Sequence, residues 1–203
     1  MKKELLLPLM ILLTLFIFSC SSNKQVTRID AATITDLSGY WNDTDVRIVC
    51  EFLINDCLNN PRVTQAIAAR GGKTPVVLVG SFVNESSEHI NTAIISSTME
   101  TIIFNSGKMD FVAGGRFRDE LRAERQDQQS QSSESTASQL ANETGADFML
   151  LGTVRSIVEK EGNQTIRTYI VSAEMTDVET NQRMWMGRHD EIKKKIVVPK
   201  NRF

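Results

Sequence analysis

Apolar residues recur at three- and four-residue spacing between Val46 and Leu58, where Val46, Val49, Cys50, Leu53, Ile54, Cys57 and Leu58 draw one stripe along a helix. Asn42 or Asp43 caps its start and Asn59-Asn60-Pro61 stops it. Before it, Val26 to Thr35 alternates loosely, the pattern of an edge strand, and Asp36-Leu37-Ser38-Gly39 reads as a turn. After it, Val63 to Arg70 is a second short helix ended by Gly71-Gly72. The period then changes. Val76-Val77-Leu78-Val79-Gly80 is continuously apolar, as in a strand covered on both faces.

Asn84-Glu85-Ser86-Ser87-Glu88 is a polar loop with capping residues. It leads into a long helix, about His89 to Asn105, with a stripe of Ile90, Ile94, Met99, Ile102 and Ile103 interrupted by Ser96, Ser97 and Thr98. Gly107 ends it, and Met109 to Ala113 is a short strand. Arg116 to Gln126 is a charge-laced helix, Gln128 to Ser138 a Gln- and Ser-rich loop or frayed helix, and Ser138 to Glu143 helical again. The rest is β: Phe148 to Val158, Thr165 to Met175 and Arg183 to His189, joined by turns at Glu161-Gly162-Asn163 and Glu179-Thr180-Asn181, form an antiparallel meander. Lys193 to Phe203 reads as a tail. The pattern predicts a two-layer α/β domain with helices packed on a mixed sheet of about five strands.

The first twenty residues are a different kind of segment. Lys2 and Lys3 give a positive start, Leu5 to Phe18 is apolar apart from Pro8 and Thr14, and Ser19 is a small residue at the cleavage point of a secretory signal. The apolar run is shorter than the ~20 residues a membrane-spanning helix needs. Cys20 directly after Ser19 resembles the lipobox of bacterial lipoproteins, in which the cut falls before the cysteine and its thiol and new amine carry acyl chains. Ser21, Ser22, Asn23 and Lys24 include no acidic residue. By resemblance to enteric lipoproteins this points to the periplasmic face of the outer membrane, with the inner membrane the other place for the anchor. The expected organisation is thus a signal peptide over 1–19, a lipid anchor and tether over 20–25, a domain over 26–192 and a tail over 193–203.

Charge and chemistry narrow the function. Removing Lys2, Lys3 and Glu4 from 23 basic and 25 acidic residues leaves 21 and 24, a formal charge of −3, and no basic field to gather nucleic acid. With 41% hydrophobic and 24% charged residues the chain has the composition of a globular domain. Cys50 and Cys57 lie two helical turns apart, ~10.5 Å of rise and too far for a disulfide, so both are expected as buried small hydrophobes. His89 and His189 are a hundred residues apart, without a nucleophile motif, and are expected at the surface. No His, Cys, Asp and Glu group has metal-ligand spacing. Gly72-Lys73-Thr74 imitates a phosphate-binding loop, but Ile67 stands where its first glycine belongs and Pro75 precedes a strand instead of a helix. Asp43 with Asp45 could do acid–base work only in a pocket that separates them, and helix capping is the better reading of Asp43.

What remains is a dense patch from Asp36 to Asp45 that contains Tyr40, Trp41 and Asn42. In a chain with 6% aromatic residues, two adjacent rings beside a turn glycine either pack the helix onto the sheet or stand out as interface anchors. The charged helix carrying Arg116, Asp119 and Arg122 is a second candidate surface.

These segments resemble the LpoB family of lipoprotein activators of penicillin-binding proteins. The lipobox, Leu37 to Arg47, Pro75 to Val83 followed by Asn84 to Ile90, Glu124 to Gln128, Glu143 to Leu150 and Thr176 to Asn181 carry the resemblance over nearly the whole mature chain. It implies a fold similar to the amino-terminal domain of the TolB translocation protein. It also implies a monomeric, non-enzymatic protein without cofactor that binds a bifunctional peptidoglycan synthase and raises its activity. Better-known members carry a long linker after the anchor, whereas here only the short tether over 20–25 separates Cys20 from the first expected strand at Val26, a reach of ~20 Å. A similar domain occurs in lipoproteins that build secretion pores for curli-type fibres, which makes an oligomeric envelope component the alternative.

Overall fold

The computed structural model describes residues 26–30, 33–111 and 145–199. The chain divides into two units, Met1–Thr33 and Ile34–Phe203. In the first, residues 26–30 and Thr33 adopt no regular structure. The strand expected over Val26 to Thr35 is therefore corrected: Val26, Ile29 and Ile34 are all exposed, so extending this segment buries nothing. Cys20, the leader, and the expected elements Arg116 to Gln126, Gln128 to Ser138 and Ser138 to Glu143 lie outside the described residues.

The second unit opens with α1 (Asp43–Asn59). Asn42 Oδ1 accepts from the Asp45 amide at 3.1 Å and Asp45 Oδ2 accepts from the Asn42 amide at 3.0 Å, a reciprocal capping box that assigns the cap to Asn42 and not Asp43. The whole predicted stripe of α1 is buried, Cys50 and Cys57 included. Each fully buried Val, Leu or Ile contributes roughly 1.5–3 kcal/mol. Asn60 in extended conformation and Pro61 end α1 and start α2 (Pro61–Ala68). Strand β1 (Val76–Asn84) follows, then α3 (Thr92–Ser106), capped by Asn91 and closed by Gly107 at φ +66°.

The core face of α3 is rotated from the expected one. Ile95, Met99 and Ile103 are buried while Ile94 is 51% exposed. The hydroxyls that interrupt the stripe explain this, because Ser96 Oγ donates to the Gly80 carbonyl at 3.0 Å and so belongs on the sheet side, whereas Ser97 and Thr98 bond back to the Ile94 carbonyl.

After β2 (Asp110–Phe111) the chain returns as β3 (Phe148–Glu161), β4 (Gln164–Asp177) and β5 (Arg183–Val197). The sheet order is β2-β1-β3-β4-β5. Strand β1 runs parallel to β2 and β3, and β4 pairs antiparallel with both β3 and β5. The three helices pack on one face through Val77, Val79, Phe82, Leu150, Val171 and Met175 among others. Strand β1, expected to be central, is second from the edge and pairs with β2 only at Val76 and Val77; its other face is half-buried among the described residues, so alternation replaces full cover.

The tail expected from Lys193 is also corrected, since β5 continues to Val197. The run Lys193-Lys194-Lys195 hides the period, but Ile192, Lys194 and Ile196 turn to the inner side opposite Tyr169, Arg167 and Thr165. His189, expected at the surface, is 4% exposed and meets the Phe52 ring edge-on at 5.0 Å.

Candidate partner-binding surface

The loop before α1 crosses the inner side of β5 through Gly39. Its φ of +70° favours glycine, and a Cβ there would stand 2.4 Å from Ile196 Cγ1. Beyond the crossing, Lys194 reaches up from β5 and binds the loop to the helix. Its Nζ donates to Asp45 Oδ2 at 2.7 Å and to the Tyr40 carbonyl at 3.0 Å, and it pairs with Asp36 Oδ1 at 2.6 Å. Burial pushes the Asp45 carboxyl above the usual carboxylate range against the pull of Lys194. The same burial disfavours the Lys194 ammonium, but its bonds to Asp36 and Asp45 outweigh it and hold Lys194 above its usual range.

The side chain of Asn42 is spent internally. Besides capping α1, its amide nitrogen donates to the Thr35 carbonyl and to Asp36 Oδ1, both at 2.9 Å. Asn42 therefore shapes the loop and does not project from it. The two neighbouring rings divide between the readings left open above: Trp41 packs onto the core and meets the Tyr169 ring edge-on at 5.3 Å, while Tyr40 is 49% exposed.

Both rings are held from the β1–α3 loop. Asn84 Oδ1 accepts from the Ser86 amide at 3.0 Å and Asn84 Nδ2 donates to the Glu88 carbonyl at 2.7 Å, a side-chain-built turn that directs Glu88 inward. The Glu88 side chain is only 8% exposed. Its Oε1 accepts from Tyr169 Oη at 2.6 Å and from Arg167 Nη1, and its Oε2 accepts from the Trp41 amide at 3.3 Å. The Arg167 guanidinium lies 4.4 Å over the Tyr40 ring. Burial, then the bond to Glu88, push the Tyr169 phenol upward, so it stays a donor.

Beside these groups a cleft of about 490 Å³ opens between the start of α1 and the start of α3, lined by Tyr40, Trp41, Val46, His89, Ile90 and Ile94 among others. Its apolar floor and exposed ring suit the burial of a partner's side chain. The ionisable groups beneath it, Glu88, Arg167 and Tyr169, are committed to one another. Among the described residues no three His, Cys, Asp or Glu side chains are grouped to hold a metal ion, and no helix is long and apolar enough to cross a membrane. Arg116, Asp119 and Arg122 lie outside the described residues. Sequence reasoning reached Tyr40, Trp41 and Asn42 but missed Glu88, Arg167 and Lys194. The available signal was phase, since Arg167 shares the inward side of β4 with Tyr169 and Val171, where a charge needs a partner.

Residues 45–190 match the sequence profile of the family described as peptidoglycan-synthase activator LpoB. The chain belongs to this family. Solved structures with a similar fold include the LpoB C-terminal domain from Escherichia coli, at 18% identity and a TM-score of 0.45, covering 72% of this chain and 97% of that one. The LpoB C-terminal domain from Salmonella enterica matches at 19% identity, with the same coverage and a TM-score of 0.44. The lipoprotein GNA1162 from Neisseria meningitidis matches at 16% identity over 60% of this chain and 83% of that one, with a TM-score of 0.39. A search of curated protein sequences found no match. The LpoB span begins at Asp45 and takes in Glu88, Arg167 and Tyr169; Tyr40 and Trp41 stand just ahead of it, and Lys194 just beyond it.

Proposed function

We propose that this protein is a non-enzymatic lipoprotein of the cell envelope that binds a bifunctional penicillin-binding protein and raises its peptidoglycan-synthase activity. The observation that carries the reading is the LpoB match over residues 45–190. Cys20 is the acyl-bearing residue and anchors the chain at the periplasmic face of the outer membrane. With Asp36 held by Lys194, the chain between Cys20 and Asp36 spans at most ~55 Å, so the domain works close to its own membrane.

Tyr40 is the docking anchor and Trp41 the support beneath it. An exposed ring braced by a guanidinium buries large area at low entropic cost, and losing such an anchor costs ~2 kcal/mol or more, about thirtyfold in affinity. The test is Tyr40→Ala, measured for synthase binding by biolayer interferometry and for thermal stability. A large loss of affinity with an unchanged melting temperature supports the surface. Wild-type affinity in the stable variant moves the docking site elsewhere.

A further inference from the structure

We infer that Glu88 is the positioning residue of the Tyr40–Trp41 surface, setting both rings in place before a partner arrives; this rests on that surface being the docking site. Three donors converge on its carboxylate, and each leads to one of the rings. Arg167 Nη1 bonds Glu88 and lays its guanidinium face on Tyr40. Tyr169 Oη bonds the same oxygen at 2.6 Å and presents its ring to Trp41. The Trp41 amide bonds the other oxygen at 3.3 Å.

The arrangement has a feature that packing alone does not require. Arg167 Nε is buried with no hydrogen-bond partner among the described residues, so the guanidinium gives up one bond to keep its plane against Tyr40. Arg70, in the turn after α2 and part-buried, is arranged differently. It pairs with Asp147 and Asp177 and lies 4.7 Å over Phe148, a buried ring, so its cluster fastens α2 to the sheet and presents nothing outward. Of these two clusters, the Glu88 cluster ends in a half-exposed aromatic beside a cleft. A ring held in its bound rotamer loses less freedom on docking, so Glu88 raises affinity without touching the partner.

Glu88→Gln alone leaves Arg167 buried without a counter-charge, so the test uses Glu88→Gln combined with Arg167→Met, which removes both charges together. The chain has two tryptophans, and a Trp185→Phe background makes Trp41 the sole emitter. In the folded double variant, acrylamide quenching of Trp41 is expected to rise about twofold and synthase affinity to fall about tenfold, toward that of Tyr40→Ala. Unchanged quenching in a cooperatively unfolding double variant overturns the inference whatever the synthase does. Raised quenching with wild-type affinity also overturns it, because ring order then does not matter for docking. If Tyr40→Ala itself binds like wild type, the inference falls with the docking surface while the quenching change stands, so the two failures are told apart.

Discussion

Replacing Lys194 by Met tests the structure where it departs most from sequence expectation. The ammonium is 7% exposed and holds three oxygens, of which Asp45 is itself 4% exposed. Met keeps the stem volume but leaves the Asp45 carboxylate buried without its counter-charge and releases Asp36 and the Tyr40 carbonyl. Breaking a buried pair by removing one partner costs about 3–5 kcal/mol. At about 2–4 °C per kcal/mol for a domain of this size, the melting temperature should fall by ~10 °C. Differential scanning fluorimetry at neutral pH measures this directly.

A double variant with Asp45→Asn keeps the capping acceptor and removes the stranded charge, so it should recover part of the loss. The pH dependence has a defined sign. The folded Lys194 is held above the ordinary lysine value of 10.5, so its contribution is full below that value and is lost as pH rises through the folded one. Wild type should therefore show an extra alkaline loss of stability that Lys194→Met lacks. A Lys194→Met melting temperature within 2 °C of wild type, or a double variant less stable than the single, would refute the buried-pair account.

Other outcomes follow from burial and from the leader. Val77→Asp places a charge at a fully buried site of β1 and should cost several kcal/mol, seen as a large drop in urea midpoint; a midpoint near wild type would contradict the burial of Val77. The Cys50 and Cys57 thiols, both buried and pushed up to about 12 chiefly by burial, should stay unreactive toward a thiol reagent at pH 8 until the protein unfolds. Rapid native labelling of either would contradict their placement. Cys20→Ala should abolish incorporation of a fatty-acid analogue in cells, and undiminished incorporation would refute the lipoprotein reading.

Local signals in this chain were read correctly where one interaction dominates. The α1 stripe, the Pro61 stop and the three-strand meander each follow from a short-range rule and appear in the structure, and the cap left open between Asn42 and Asp43 falls to Asn42. Apart from the strand expected over Val26 to Thr35, which buries nothing, the misreadings came from partners distant in sequence. Ile94 and Ile95 are equivalent by period, and the choice between them rests on Ser96 meeting the Gly80 carbonyl. Three successive lysines look like a solvated tail until Asp45, 149 residues away, draws Lys194 inward. Glu88 looked like one more polar loop residue because its partners, Arg167 and Tyr169, are about 80 residues distant. The patch around Tyr40 was legible from composition, but which of its two rings faces solvent depended on the Trp41–Tyr169 contact.

The central claim is activation of a synthase by binding. The most direct measurement is the rate of glycan-chain polymerisation from lipid-linked precursor by a purified bifunctional penicillin-binding protein from the same envelope, with and without this protein and with Tyr40→Ala. The account predicts a rate increase that saturates with wild-type protein and needs about thirtyfold more of the variant. A synthase rate unaffected by saturating wild-type protein, with no complex detected, would contradict it.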